Sequence, residues 1–272
     1  MDLRDTVVIL TGSAGAIGRA TERELLRQGA RVVAVDIEAP AASGERVLAC
    51  RADVTDRAAV KAVVEEACQR FGTVDVLINN AALLSGIGAL WEVDPERWWA
   101  DMTVNLYGTL VCTQAVLPLM QARGTGVLLN MVGGGLGGPN AGASGYGCSK
   151  VAIARFTDTL AAELTSSPGI RVFALAPGFV RSTITEDLTA APDEHAYFGY
   201  VRDWLAEGKD NPAEGVAQAL CAMIARAEKL PNGRIFRYHD DFDELTAQKD
   251  LIEDQDLRQV RFIEEPKSFR NP

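Results

Sequence analysis

For about 235 of its 272 residues, this chain alternates short apolar runs rich in valine and isoleucine with longer amphipathic stretches. That alternation constrains the fold more than any other feature. Short continuous apolar runs suit strands buried on both faces, and parallel strands need a crossover between them, usually a helix. The pattern predicts βαβ units: an α/β fold in three layers, with a doubly wound parallel sheet of about seven strands. Strands are expected at residues 7–10, 31–36, 46–50, 74–78, 126–131, 170–175 and 234–238. Helices are expected at 17–28, closed by Gly29, and at 56–70, where Val60, Val63, Val64 and Ala67 keep helical spacing before Gly72. Further helices fall at 95–120, 146–164 and 212–227, with Pro118 expected to kink or shorten the first of these. Two stretches break the rhythm. Residues 178–211 form a long connection after the sixth strand, where open α/β sheets place substrate-covering lids. Residues 240–272 form a charged C-terminal extension without a clear apolar face, a helix or a partly disordered tail. Residues 1–239 are therefore expected to form one domain.

Composition narrows the function classes. A chain that is 47% hydrophobic and 24% charged matches a soluble globular protein. No apolar run reaches the roughly 18 residues of a membrane helix. The N-terminus enters a strand at Thr6 without a basic-then-apolar leader, so a cytoplasmic location and no membrane partner are expected. A net charge of −10 with no basic stripe argues against nucleic acid. Cys50, Cys68, Cys112, Cys148 and Cys221 include no CxxC pair and read as buried, reduced thiols. His195 and His239 lie far apart without cysteine neighbours, so no metal site is expected.

Thr11-Gly12-Ser13-Ala14-Gly15-Ala16-Ile17-Gly18 lies between the first strand and the first helix. Glycines there let the backbone turn tightly and approach a pyrophosphate, while the helix N-terminus offers free N–H donors. Gly12, Ser13, Gly15, Ile17 and Gly18 are thus candidate cofactor contacts. Asp36 ends the second strand, where a carboxylate accepts from ribose hydroxyls and repels a 2′-phosphate. No Arg or Lys occupies Ser13, Ala14 or Ile37, so NAD(H) is expected over NADP(H).

With this turn and the motifs that follow it in order, the chain resembles the classical short-chain dehydrogenase/reductase family over residues 5–238. Asp53-Val54 matches the pair that meets the adenine, and Asn79-Asn80-Ala81-Ala82 the element after strand four. Asn105 matches the asparagine of the long fourth helix. Tyr146-Gly147-Cys148-Ser149-Lys150 matches Tyr-x-x-x-Lys, and Pro177-Gly178 the turn beside the nicotinamide. The resemblance implies a Rossmann-type domain with Asn105, Tyr146 and Lys150 as catalytic residues, Asn105 holding a water that relays protons to Lys150. It also implies cofactor contacts from Ile37, Asp53, Val54, Asn80, Ala81, Pro177, Gly178, Val180 and Ser182, besides Tyr146 and Lys150. Homotetramers or homodimers built on helices 95–120 and 146–164 are implied as well, as is a small-molecule substrate.

Tyr146 and Lys150 share one helix face, and an ammonium beside a phenol is expected to lower its pKa toward working pH. The family's catalytic serine sits 13 residues before the tyrosine, where this chain has Gly133, and no hydroxyl occurs between Met131 and Ala143. The chain thus resembles a divergent branch with glycine for serine. Losing one such donor costs on the order of 10²–10³ in rate. A substrate hydroxyl, an ordered water or a backbone N–H can replace it, or Ser144 can supply the hydroxyl. The third reading is a weak or non-catalytic protein. Gly133 and Gly134, in a nearly side-chain-free run, leave room and exposed N–H groups for a ligand.

His195, Tyr197, Phe198, Tyr200, Arg202 and Trp204 in the 178–211 connection suit either a sugar-like, polyoxygenated substrate or simple packing of the lid. Leu83, Leu84 and Trp91 are expected to line the opposite wall, with Trp98 and Trp99 as helix-packing residues. Phe173 and the charged ending through His239 depart from the family's pattern, and His239 reads as a surface residue. The expected activity is hydride transfer between NAD(H) and a secondary alcohol or ketone. The rival is an NAD(H)-binding sensor or structural subunit with little turnover.

Overall fold

The structure, a computed structural model, describes residues 1–38, 44–190 and 197–260. Seven strands form one all-parallel sheet: β1 (Val7–Thr11), β2 (Arg31–Asp36), β3 (Val47–Arg51), β4 (Val76–Asn79), β5 (Gly126–Met131), β6 (Ile170–Ala176) and β7 (Ile235–Arg237). Their order is β3-β2-β1-β4-β5-β6-β7. The sequence order reverses between β1 and β4, and ligands bind such sheets in the crevice beyond the strand C-termini at that switch.

Strand pleating sends alternate side chains to opposite layers. Val8 and Leu10 of β1 pack with Leu25 of α1 (Ala16–Arg27) and with the late helix Ala213–Ala225. Val7 and Ile9 pack on the other face with α2 (Arg57–Phe71) and with the helices after β4 and β5. Asp56 caps α2 by accepting from the Ala58 and Ala59 amides, and Gly72, at φ 83°, ends it.

The expected helix 95–120 is α3 (Pro95–Met102), a wide π turn (Thr103–Tyr107) and α4 (Gly108–Arg123). Pro118 does not end α4, which continues to Arg123 and stops at Gly124, φ 73°. By length and composition alone this 29-residue helix is apolar enough to cross a membrane, contrary to the expectation from the sequence. Here Val111, Cys112, Val116 and Met120 spend that apolarity on the sheet and α2. α5 (Ser144–Glu163) starts two residues before Tyr146.

The lid region folds as α6 (Thr183–Ala190) and α7 (Gly199–Ala206), followed by α8 (Ala213–Ala225); His195 lies outside the described residues. The extension is helical where described, one of the two expected alternatives, but it carries an apolar face that its sequence did not suggest. α9 (Phe242–Ala247) and α10 (Lys249–Asp254) bury Phe242, Leu245 and Ile252 in the β6–α8 core. The break between the two short helices hides this apolar face from a periodicity reading. The chain then runs along β7, where the Ile235 amide donates to the Arg258 carbonyl at 2.9 Å. Arg258 pairs with Asp240 at 2.5 Å, so the sheet edge is covered by the protein's own tail.

Candidate active site

The cradle at the C-terminal end of β1 is fixed by backbone crowding. Gly12 takes φ 65°, and a Cβ there would lie 2.8 Å from Ala81 Cα. At Gly18 a Cβ would lie 2.2 Å from the Gly12 carbonyl oxygen. Gly15 differs: its φ of −73° suits any residue, and a Cβ would meet only the Gly12 oxygen at 3.5 Å. Thr11 Oγ1 accepts from the Asn80 and Ala81 amides, both at 3.0 Å, and Asn80 Nδ2 donates to the Thr11 and Gly12 carbonyls. Asn80 and Ala81 therefore brace the turn.

The residues fit a dinucleotide. Ser13 Oγ is buried without a hydrogen-bond partner, a costly state that an anion's oxygen would relieve. The first turn of α1 carries no acidic residue and no side-chain cap, so its N–H groups are available to a pyrophosphate. Asp36 accepts from the Ala14 amide at 2.9 Å and the Glu38 amide at 3.2 Å, with lone pairs left for ribose hydroxyls. Ile37 beside it is exposed. The Asp53 carboxylate accepts from the Thr55 amide and hydroxyl, and buried Val54 packs on Gly108. Arg51, overlooked in the sequence, pairs in register with Asp36 and donates to the Ile37 carbonyl at 2.9 Å, bringing a cation to this end of the site.

From the cradle a cleft of about 1070 Å³ runs along the β5 and β6 C-termini to the lid and tail. Ile17, Gly133, Gly134, Tyr146, Pro177, Gly178, Val180 and Ser182 line it, while the other candidate catalytic and cofactor-binding residues lie outside its wall. At Gly178, φ 69°, a Cβ would sit 2.1 Å from Asn211 Nδ2. Asn211 donates to the Pro177 carbonyl and accepts from Tyr238, a brace drawn from 34 residues away.

Tyr146 and Lys150 lie together, with Lys150 Nζ 5.4 Å from the phenol ring centroid. Nζ donates to the Met131 carbonyl at 3.0 Å. Burial pushes Lys150 down to about 8. Burial, reinforced by the Asp101 carboxylate, pushes Tyr146 up to about 12. The expected lowering of the phenol is thus reversed here: desolvation of the phenolate outweighs its ammonium neighbour. Asn105, fully buried, accepts from the Leu83 amide at 2.7 Å and donates to the Leu83 carbonyl and Ser149 Oγ, both at 2.9 Å. Both of its side-chain N–H groups thus go to protein partners. Below the site, Asn79 donates to Asn130, which donates to Thr157, tying β4, β5 and α5 through buried amides.

Glycine at 133 lets the backbone pass close to the phenol, since a Cβ there would lie a tight 3.3 Å from the Tyr146 hydroxyl. Ser144 does not supply the missing hydroxyl. Its hydroxyl accepts from the Trp98 indole at 3.0 Å, and it is not among the cleft-lining residues. Asn140, overlooked in the sequence, lines the cleft beside Gly134. Tyr197 does not line it either, because its side chain packs over Gly142. The lid contributes Ile184, Thr185 and Leu188 from α6 and Phe198, Tyr200 and Trp204 around α7, with Phe179 beside the Pro-Gly turn. Leu84 lines the other wall as expected, whereas Leu83 does not and Trp91 is 82% exposed. Trp98 stacks on Trp99, which is itself exposed, as is Cys148. Phe173 packs edge-on to Phe236 in the core, and His239 is on the surface.

Residues 6–193 match the family model described as short chain dehydrogenase. A 3-oxoacyl-(acyl-carrier-protein) reductase of Thermotoga maritima is 34% identical over 247 residues, covering 86% of this chain and 96% of the relative. The cis-4-hydroxycyclohexanecarboxylate dehydrogenase of Sinomonas cyclohexanicum is 34% identical over 196 residues, 68% of this chain and 78% of the relative. Among solved structures, a 3-ketoacyl-(acyl-carrier-protein) reductase from Brucella melitensis complexed with NADH superposes with a TM-score of 0.75 at 27% identity, covering 86% of this chain and 97% of that one. Matched motifs, sheet order and superposition agree: the chain belongs to the short-chain dehydrogenase family.

Proposed function

We propose that this protein is an NAD(H)-dependent oxidoreductase that interconverts a secondary alcohol and its ketone, with Tyr146 handling the proton. The observation that carries the reading is that Tyr146, with Lys150 beside its ring, faces one cleft with Ile17 from the first turn of α1 and with Pro177, Gly178, Val180 and Ser182 after β6. When bound, the nicotinamide supplies the acceptor or donor of hydride. Asp36 supports NAD(H): its free lone pairs suit ribose hydroxyls, and its charge repels a 2′-phosphate. A phenol held at about 12 keeps its proton at neutral pH, so the resting site is set to protonate a substrate oxygen during ketone reduction.

The cleft wall is mostly apolar, with Leu84, Leu136, Phe179, Ile184, Phe198 and Trp204 among the apolar side chains that outnumber the polar ones. That favours a bulky, largely hydrocarbon alcohol or ketone over a sugar. The Sinomonas relative is named for a ring alcohol bearing a carboxylate, and Arg237 on this cleft would suit such a charge. Gly133 supports the rival reading of an NAD(H) sensor, whereas Tyr146 and Lys150 support the enzyme.

The test is NADH formation from NAD over a panel of ring alcohols with and without a carboxylate, steroid alcohols, polyols and sugars. Turnover that falls about 10³-fold in Tyr146→Phe, with NADH affinity unchanged, is the expected result. Tight NADH binding with no turnover of any panel member, and no gain from Gly133→Ser, would favour the sensor.

A further inference from the structure

Asp101 is the buried acid that the chemistry above leaves unused. It is fully buried on α3, and it has no cationic partner in the contacts described. Its Oδ1 accepts from the Ser85 amide at 2.7 Å and from Ser85 Oγ at 3.0 Å, and its Oδ2 accepts from the Gly86 amide at 3.3 Å. A buried carboxylate with only neutral donors is expensive to keep. An apolar residue would pack such a helix face more cheaply.

Its position explains the expense. Asp101 and Asn105 are four residues apart, hence neighbours on one helix face. They grip the same segment: Asn105 holds both backbone groups of Leu83, and Asp101 holds Ser85 and Gly86. Leu84, between the two grips, lines the cleft and packs in a cluster with Tyr146 and Phe198 of the lid. Close approach is built in, since a Cβ on Gly86 would stand 3.0 Å from Trp98 Cα.

We propose that Asp101 is a positioning residue of the active site, forming with Asn105 a two-point clamp that sets Leu84 as the substrate wall between Tyr146 and the lid. This rests on the enzyme reading above. Two charged groups act on the Tyr146 phenol, Lys150 on its own helix and Asp101 on α3. The other elements around it contribute uncharged Leu84, Gly133, Ala143, Phe179 and Phe198, and the far wall of the same cleft carries Arg237, Asp256 and Arg258. Asp101 also adds to the effect of burial on the phenol, because a nearby negative charge disfavours phenolate.

Asp101→Asn keeps the shape, removes the charge and turns an amide N–H₂ toward a backbone N–H. Amide exchange at Ser85 and Gly86 should speed up at least ~10-fold, while Leu83 stays protected. With the best panel ketone, KM should rise about fivefold, and the alkaline limb of kcat should move down by about 0.5–1 pH unit, with NADH affinity unchanged. Faster exchange with KM and the pH limb both unmoved would make Asp101 merely structural and overturn the proposal. If Asp101→Asn does not fold, Ser85→Ala, which removes one grip, decides: a KM increase of about twofold supports the clamp, and an unchanged KM overturns it. Tyr146→Phe run in parallel separates the two readings. If that variant retains turnover, the enzyme reading has failed, whatever Asp101 does.

Discussion

The two ends of the cleft are made in different ways. The dinucleotide end is a single turn between β1 and α1, forced by backbone contacts at Gly12 and Gly18 and braced by Asn80 from the adjacent strand end. The substrate end is assembled from the 83–86 segment, the Gly133–Asn140 loop, the lid and tail residues 256–260, which meet only in the folded chain. A site made of backbone tolerates few sequences. A site made of side chains from separate segments can change one wall at a time, which suits a family with one cofactor class and many substrates.

The sharpest break between the ends should come through the tail. Phe242 is 7% exposed in the core and anchors the chain that continues to the 256–260 wall. Phe242→Ala should cost about 3 kcal/mol in urea unfolding and raise substrate KM, with NADH affinity preserved in the folded fraction. Loss of NADH affinity in step with KM would mean that the two ends are one cooperative unit.

Smaller in effect, but confined to the cradle, is a paired substitution. Gly18→Ala drives a methyl into the Gly12 carbonyl and should cost about 2–3 kcal/mol together with most NADH affinity. Gly15→Ala, at a φ open to any residue, should stay within about 0.5 kcal/mol. Equal penalties, read by chemical unfolding and NADH titration, would show that the turn is not held by the backbone contacts described.

That contrast also marks what the sequence made legible. The sheet, its seven strands and the cradle follow from apolar runs and glycine placement, both local signals. Gly133 was visible as an absence, but the commitment of Ser144 to Trp98 was not, because 46 residues separate the partners. Tyr197 reads as a substrate contact, yet it precedes α7 and packs over Gly142, while Tyr200 on α7 lines the cleft. The tail's apolar face was hidden because Phe242, Leu245 and Ile252 lie on two short helices with a break between them. Nothing in the local sequence marks Asp101 as buried. Its burial depends on a segment 15 residues upstream folding back over it.

The smallest effect concerns proton affinity where the two ends meet. Lys150 is 3% exposed and is held at about 8, against 10.5 for a free lysine, and burial is the cause. Between those values the unfolded chain holds a proton that the folded chain has released, so stability from this group rises with pH. The penalty is fully present below pH 8 and disappears as the unfolded lysine also deprotonates above 10.5. Wild type should therefore gain about 1 kcal/mol relative to Lys150→Met between pH 7 and 9, with other titrations cancelling in the difference. Urea unfolding of both proteins at the two pH values measures it. A difference that does not change with pH would mean that the bond to the Met131 carbonyl keeps the ammonium as stable as in water. Lys150 would then stay charged through the working range, and the alkaline limb of turnover would belong to Tyr146 alone.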